Sequence, residues 1–175
     1  MIPGVSAMQS MIPRQRLGQS ELELSKICLG TMTWGKQNTL EEGVQQLNAA
    51  FDAGINFLDT AEMYPVPTEP ETQGATDRTI AAWLKSKKRD EVILAAKVGG
   101  ASERITWVRE DGRGTRVTRD DIVESVDASL ARLGTDYIDC LQVPTTSTVS
   151  HRLSADSLAG PVRAVVRERL VRRVV

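Results

Sequence analysis

An acid, a phenol and an amine stand at spacings that could support proton transfer to a carbonyl group. Asp59 and Lys97 each follow a short apolar run, and Tyr64 lies soon after Asp59. A free phenol has a pKa of about 10, and a neighbouring ammonium group lowers that value because it favours the phenolate. An aspartate beside the lysine would hold it in place and in its charged form. Together the three groups could protonate a carbonyl oxygen while hydride reaches its carbon.

The same residues also allow a purely structural interpretation. An Asp–Lys pair at the ends of strands is often only a salt bridge. The loop after Tyr64 is rich in proline, with Pro65, Pro67 and Pro70, and a tyrosine in such a loop is often only a packing residue. Spacing alone therefore leaves catalysis and packing both open.

The catalytic interpretation needs elements that bring these side chains to one place. Short apolar runs predict buried strands, and segments with helical spacing lie between them. The predicted strands cover residues 27–30, 55–58, 92–96 and 137–143. The helices are predicted to begin at a Thr39–Glu42 capping box, at Ala75 and at Thr118, and to end at Gly54, Lys87 and Gly134, respectively.

Strands that are apolar on both faces predict a parallel sheet covered by helices, either doubly wound or closed into a barrel. Periodicity does not separate these two folds. In either fold the carboxyl ends of the strands meet at one edge, so Asp59 and Lys97 are expected to lie close together. A small hairpin around Gly18 is predicted before the first strand, within residues 16–26.

Composition narrows the class of protein. The chain has 175 residues, 41% hydrophobic and 26% charged, and its net charge of -1 gives no general attraction to nucleic acid or anionic lipid. No stretch approaches the roughly 18 apolar residues of a membrane span, so a cytoplasmic protein is expected. Cys28 and Cys140 stand in apolar runs, which predicts buried thiols in a reducing compartment. One histidine and two cysteines do not make a zinc site, and no metal is expected.

The two ends differ from the middle of the chain. Residues 1–13 are predicted to be a disordered leader, and residues 14–143 carry the alternating pattern. Residues 144–175 form a divergent tail, rich first in serine and threonine and then in arginine and valine. Poor order is the simplest expectation for this tail. A basic helix over residues 161–175 that binds a protein partner or a membrane surface is the alternative.

Several strings resemble the motifs of the aldo-keto reductases. The strings are residues 29–35 (LGTMTWG), 54–64 (GINFLDTAEMY), 95–98 (AAKV) and 129–139 (SLARLGTDYID). The run at residues 65–74 (PVPTEPETQG) is similar to the bacterial Tas-type branch of that family. The resemblance extends over about residues 14–143, which corresponds to the N-terminal half of such a protein.

This resemblance implies a fold, a reaction and site residues. The fold would be a (β/α)8 TIM-type barrel, incomplete, with about the first four β/α units behind a small β-hairpin. The reaction would be the NADPH-dependent reduction of a small aldehyde or ketone. By resemblance Tyr64 is the general acid, Lys97 lowers its pKa and Asp59 orients the lysine. The residues implied for the cofactor NADP(H) are Gly30, Thr31, Met32 and Asp59. Trp34 and Trp107 are possible walls of the substrate pocket.

The sequence departs from the family after the fourth strand. Pro144 follows Gln142 and Val143 where the family has a histidine that orients the carbonyl, and His151 stands in the divergent tail. Strands five to eight do not follow, which would leave an open edge on the fourth strand. These departures predict an impaired or inactive reductase, from a truncated, alternatively spliced or frameshifted product. The alternatives are a non-catalytic interaction subunit, as in the β subunits of potassium channels, and a non-functional product.

Overall fold

Helices and parallel strands alternate along the chain, as the apolar runs predicted. A computed structural model of the protein describes residues 12–144 and 171–174. The strands are β1 Arg14–Arg16, β2 Glu23–Ser25, β3 Cys28–Gly30, β4 Phe57–Asp59, β5 Ile93–Lys97, β6 Ile138–Gln142 and β7 Val171–Val174. The helices are α1 Leu40–Asp52, α2 Ala75–Leu84 and α3 Arg119–Leu133, and a short 3-10 turn covers Arg89–Glu91.

Parallel pairing aligns the strand ends. The main sheet has the order β3-β4-β5-β6-β7, and every neighbouring pair is parallel. Gly30 pairs with Asp59, and Lys97 pairs with Gln142. The carboxyl ends of β3 to β6 therefore lie at one edge, where loops can build a site. The predicted hairpin is also present, as β1 paired with β2, and its Leu24 packs against Ile93, Ala95 and Cys140 of the sheet.

Local signals in the sequence set the helix ends. The Thr39 hydroxyl accepts a hydrogen bond from the Glu42 amide, and the Glu42 carboxylate accepts one from the Thr39 amide at 2.9 Å. Gly134 ends α3 with a φ of 64°, which a residue without a Cβ adopts without strain. The predicted capping box at α1, the helix start at Thr118 and the stops at Gly54 and Gly134 are confirmed. Helix α2 ends at Leu84, earlier than the predicted Lys87, because the amides of Ser86 and Lys87 close tighter turns onto Trp83 and Leu84.

Two apolar layers hold the helices to the sheet. One lies mainly beneath α1 and α2, and the other joins α3 to β5 and β6. Trp34 belongs to the first layer, with 0% of its surface exposed and its indole N–H donating to Gln46 at 2.8 Å. The expectation that Trp34 forms a pocket wall is therefore wrong, because its ring is enclosed by core residues. Trp107 is 38% exposed, on the loop between β5 and α3.

The edge position of β3 corrects two further expectations. Cys28 is exposed and Cys140 is buried, so the prediction of buried thiols is right for Cys140 and wrong for Cys28. The first strand was expected to be buried on both faces, yet Cys28 and Gly30 are exposed and Leu29 is only partly buried. The physical reason is that β3 has a strand neighbour on one side only.

The other edge of the sheet differs from the prediction as well. The fourth strand of the predicted unit, β6, was expected to have an open edge. Instead, Val171–Val174 pairs with it in parallel, with Cys140 opposite Arg173. The alternative of a helix over residues 161–175 is wrong for these four residues, which form a strand. Backbone pairing with an available edge outweighs the weak helical spacing of this short segment.

The remaining expectations for the two ends lie outside the described residues. These are the leader up to residue 11, the tail over residues 145–170 and His151. Within the described ranges no helix has the length and apolar character needed to cross a membrane. The same ranges hold no cluster of three or more histidine, cysteine or acidic side chains suited to a metal ion.

Candidate active site

An ion pair joins the ends of β4 and β5. The Lys97 ammonium donates a hydrogen bond to Oδ2 of Asp59, and both side chains are about one-quarter exposed, at 28% and 24%. Oδ1 of the same carboxylate accepts a hydrogen bond from Gln142 Nε2 at 2.9 Å. Asp59 is therefore held by side chains from β5 and β6. It fixes the lysine at the edge of the sheet where the strands have their carboxyl ends.

Tyr64 lies against this ion pair. The Lys97 Nζ is 4.8 Å from the centroid of the Tyr64 ring, within the range of a cation–π interaction. The tyrosine is fixed through its backbone, since its amide donates to Ala61 O at 3.1 Å and its carbonyl accepts from the Gly74 amide at 2.9 Å. The turn after β4 and the start of α2 thus place the phenol beside the ammonium. The structure brings together all three residues singled out for proton transfer.

The residues implied for the cofactor at the end of β3, from Gly30 to Met32, occupy different environments. The Thr31 hydroxyl is buried and donates to the Asp59 carbonyl at 2.7 Å, so Thr31 ties the end of β3 to that of β4. Gly30 is exposed, and a Cβ placed there would meet no atom within 4 Å. Met32 is 45% exposed. Gly30 and Met32 therefore leave an open surface next to Asp59, where a flat ring could lie.

The Asp59 carboxylate also raises the pKa of the Cys28 thiol. Cys28 is exposed as a residue, but partial burial of its thiol and the charge of Asp59 together raise the thiol pKa to about 11. Lys97 lowers the same pKa to a smaller extent. The thiol is consequently protonated at neutral pH.

Pro144 lies where the resemblance leads one to expect a histidine. It follows β6 and approaches Gly100, whose position could carry a Cβ only 3.8 Å from the proline Cγ. A proline side chain neither donates nor accepts a hydrogen bond. The site therefore has a phenol at Tyr64 and no imidazole at position 144.

Sequence reasoning missed two contributors to the site. Gln142 is in register with Lys97 and bonds Asp59, and its polar side chain at the end of an apolar run was an available signal. Glu62 is 1% exposed, and its carboxylate is paired with Arg109. No local signal could reveal that second contact, because the two residues are separated by 47 positions and the pairing depends on the path of a loop.

Known proteins share both the sequence pattern and the fold. The family model described as "Aldo/keto reductase family" matches residues 26–151. The chain is 44% identical over 133 residues to Protein tas of Escherichia coli, covering 73% of this chain and 37% of that protein. It is 30% identical over 145 residues to a probable voltage-gated potassium channel subunit beta of Oryza sativa, covering 81% of this chain and 40% of that protein.

A solved structure supports the same relationship. The aldo-keto reductase AKR11C1 from Bacillus halodurans superimposes with a TM-score of 0.71 at 27% identity, covering 93% of this chain and 50% of the other. The chain thus spans between about a third and a half of the length of these relatives. The fold is the α/β arrangement of part of a (β/α) barrel, as predicted. The chain belongs to the aldo/keto reductase family of oxidoreductases.

Proposed function

We propose that the site of this chain supports NADPH-dependent reduction of a small aldehyde or ketone, with Tyr64 as the proton donor. The observation that carries the proposal is the convergence of Asp59, Lys97 and Tyr64 at one mouth of the parallel sheet. Family membership supports it, since aldo/keto reductases are oxidoreductases. The identity of the carbonyl compound is open.

Each side chain has a distinct part in the proposed reaction. Tyr64 gives its proton to the carbonyl oxygen, and the Lys97 ammonium stabilises the negative charge that develops on the phenol oxygen. Asp59 keeps Lys97 in position, and Gln142 keeps Asp59 in position. NADPH, when bound, would supply the hydride. The open surface at Gly30 and Met32 fits the nicotinamide ring, because no side chain fills the space beside Gly30.

The proposed activity is low in this chain as it stands. Pro144 contributes no donor to the carbonyl oxygen, so one polar contact to the substrate is absent. A polarising hydrogen bond to the oxygen is worth most in the transition state, where negative charge develops. Loss of that contact lowers the rate even though the proton donor is in place.

A gain-of-function variant tests the proposal. Pro144→His is expected to raise the rate of NADPH oxidation with an aromatic aldehyde above that of the unchanged chain, because it supplies a donor at the carbonyl oxygen. Adding Tyr64→Phe to that variant is expected to lower kcat/KM by about 10²–10⁴-fold, the range for loss of a general acid. The measurement is the decrease in NADPH absorbance in steady-state assays.

Tyr137→Phe is the matched control, because the chain contains only two tyrosines. Its ring lies 3.9 Å beneath the Arg89 guanidinium, away from the Asp59–Lys97 pair, so this change is expected to leave the rate unaltered. Equal rates for Tyr64→Phe and Tyr137→Phe would reject Tyr64 as the donor. Rapid turnover by the unchanged chain would reject the impairment.

A second candidate is a non-catalytic subunit that binds another protein. It is favoured by Pro144 and by the 30% identity to a probable potassium channel subunit beta. Under this alternative a partner complex depends on residues 153–175 and is unaffected by Tyr64→Phe. Pull-down with the unchanged chain, the deletion and the Tyr64→Phe variant distinguishes the two functions.

A further inference from the structure

The hydrogen-bond ladder between β4 and β5 ends in an unusual way. Beyond β4 the Lys97 amide donates to Thr60 O at 3.1 Å, and the Glu62 amide donates to Lys97 O at 2.9 Å. The next bond of a parallel ladder would run from the Gly99 amide to the Glu62 carbonyl. Instead the Gly99 amide donates to Oε2 of the Glu62 side chain at 2.8 Å. The carboxylate has taken the place of the carbonyl of its own residue.

The replacement of the Glu62 carbonyl by its carboxylate follows from the turn that carries Tyr64. The Glu62 carbonyl points to another partner, the Gln73 side-chain amide, at 2.8 Å. The Tyr64 amide closes the turn onto Ala61 at 3.1 Å. The chain therefore leaves the sheet at Glu62, whose amide makes the last backbone bond to β5 and whose side chain reaches back to accept the next one. A shorter or apolar residue would leave the buried Gly99 amide without this acceptor.

The Glu62 carboxylate also forms an ion pair with the loop between β5 and α3. Both carboxylate oxygens contact the Arg109 guanidinium, with Oε2 at 3.3 Å from Nη2, and both side chains are 1% exposed. Arg109 lies on the loop between β5 and α3, and its Nε donates to Asp121 at 3.0 Å. An unpaired carboxylate at this depth would be strongly destabilising. The loop is thereby fastened to the exit of β4 by one buried ion pair.

The Gly99 backbone lies close to the Glu62 carboxylate. A Cβ at this position would overlap Met63 and would lie 2.9 Å from Oε2 of Glu62. Any larger residue at this position would require the Met63 and Glu62 side chains to shift. The clamp formed by Glu62, Gly99 and Arg109 flanks both site residues, because Glu62 precedes Tyr64 by two positions and Gly99 follows Lys97 by two.

We propose that Glu62, held by Arg109, is a positioning residue that sets the placement of Tyr64 relative to Lys97. The loop between β5 and α3 then acts on the placement of Tyr64 through one buried carboxylate. The chemical meaning of this proposal rests on the proposed function. The positioning itself can be measured without turnover.

Tyrosine NMR provides the test, because Tyr64 and Tyr137 are the only tyrosines in the chain. The full 175-residue chain is labelled with ring-¹³C tyrosine, which gives one set of signals for each residue. Lys97→Met defines how the Tyr64 signals move when the ammonium beneath the ring is lost. Glu62→Gln is expected to move them in the same direction and to leave the Tyr137 signals in place.

A reciprocal control comes from the base of the same sheet. The buried Asp139 carboxylate also accepts a hydrogen bond from a backbone amide of the neighbouring strand, the amide of Leu94, at 3.0 Å. The same carboxylate forms an ion pair with Arg89 at 2.8 Å. Arg89 lies over the Tyr137 ring. Asp139→Asn is therefore expected to move the Tyr137 signals and to leave those of Tyr64 unchanged.

Two outcomes would overturn the proposal. One is a folded Glu62→Gln variant whose Tyr64 signals coincide with those of the unchanged chain. If that variant does not fold, Glu62→Gln combined with Arg109→Met removes both charges and leaves no unpaired ion in the interior. Unmoved Tyr64 signals in the folded double variant would be the second contrary outcome, and moved signals would support the proposal.

A kinetic readout separates this proposal from the proposed function. In the Pro144→His background, Glu62→Gln is expected to lower kcat by up to about 100-fold with little change in KM, as for a small misplacement of reacting groups. If Tyr64→Phe leaves turnover unaltered while Glu62→Gln still moves the Tyr64 signals, the proposed function fails and the positioning stands. If Tyr64→Phe lowers turnover and Glu62→Gln alters neither kcat nor the signals, the positioning fails alone.

Discussion

The carboxylate of Asp59 acts on several neighbours at once. It accepts hydrogen bonds from Lys97 and Gln142, and its charge contributes to the raised pKa of Cys28. One carboxylate thus couples an amine, an amide and a thiol. Since a thiol reacts as its thiolate, Cys28 reports on the electrostatics of the site.

We expect Cys28 to be unreactive at neutral pH although it is exposed. Its pKa is raised from 9.0 to about 11, first by partial burial of the thiol and then by Asp59. A shift of this size reduces the thiolate fraction at pH 8 by about 100-fold. Alkylation by iodoacetamide, followed by mass spectrometry, should therefore be slow and should keep accelerating beyond pH 10.

Two variants control the alkylation experiment. Cys28→Ser measures any labelling of the buried Cys140. Asp59→Asn removes the charge that raises the pKa and leaves Lys97, which lowers it, so labelling is expected to become faster. A rate that is half-maximal near pH 9 in the unchanged chain would show that the pKa of the thiol is not raised.

The sequence was informative about residues that follow strands directly. Asp59 and Lys97 could be placed together because parallel strands align their carboxyl ends. The roles of Asp59, Lys97 and Tyr64 remain predictions. The Glu62–Arg109 pair could not be predicted, because its partner is supplied by a loop whose path no periodicity encodes.

The junction of the long loop with α3 depends on Asp121. This carboxylate is 1% exposed and accepts hydrogen bonds from Thr118, Arg109 and Arg113. Burial alone would raise its pKa, but these hydrogen bonds outweigh burial and the pKa is lowered from 3.8. An acid whose pKa is depressed on folding stabilises the folded chain above its ordinary value. That contribution is lost as the pH falls through the depressed value.

Asp121→Asn should accordingly destabilise the protein at pH 7 by about 1–3 kcal/mol, the cost of unsatisfied buried partners. The difference from the unchanged chain should shrink as the pH falls below 3.8. Thermal unfolding followed by circular dichroism across this range measures both effects. Asp120→Asn is the control, because that neighbouring side chain is 84% exposed and should have little influence at any pH. A difference that stays constant with pH would contradict the assignment.

Elements with local signals were predicted well and the others were not. Thr39, Gly54, Thr118 and Gly134 set the ends of α1 and α3 through hydrogen bonds within a few residues. The exposure of β3 and the pairing of β7 with β6 depend on which strand is available as a neighbour. The order of strands in the assembled sheet determines these neighbours, and no local sequence pattern encodes that order.

The choice between a doubly wound sheet and a barrel also lay beyond periodicity. Both folds use buried parallel strands and covering helices, and the likeness to AKR11C1, with a TM-score of 0.71, identifies the barrel type. In the described residues the main sheet has two edges, β3 and β7. The β3 edge carries Ile27, which is 52% exposed. The pairing of β7 therefore determines whether the longer strand β6 is also left at an edge.

The solution behaviour of the molecule should depend on β7. Arg172 and Arg173 are adjacent in this strand, and successive amides point to opposite sides, so one of the two must face β6. Replacing both with proline removes that donor and is expected to expose the edge of β6, because proline cannot donate to a ladder. Exposed edges of apolar strands pair with other chains, so we expect concentration-dependent self-association in light scattering.

Replacing both arginines with lysine is the matched control for this experiment, because it keeps the charge and the backbone donors of β7. The lysine variant should remain as dispersed as the unchanged chain over the same concentrations. If the proline variant also stays dispersed, the edge of β6 does not need β7 for its protection. If both variants associate, loss of the arginine side chains is responsible and the backbone pairing of β7 is not. Association of the proline variant alone would show that hydrogen bonding to β6 keeps this edge from other chains.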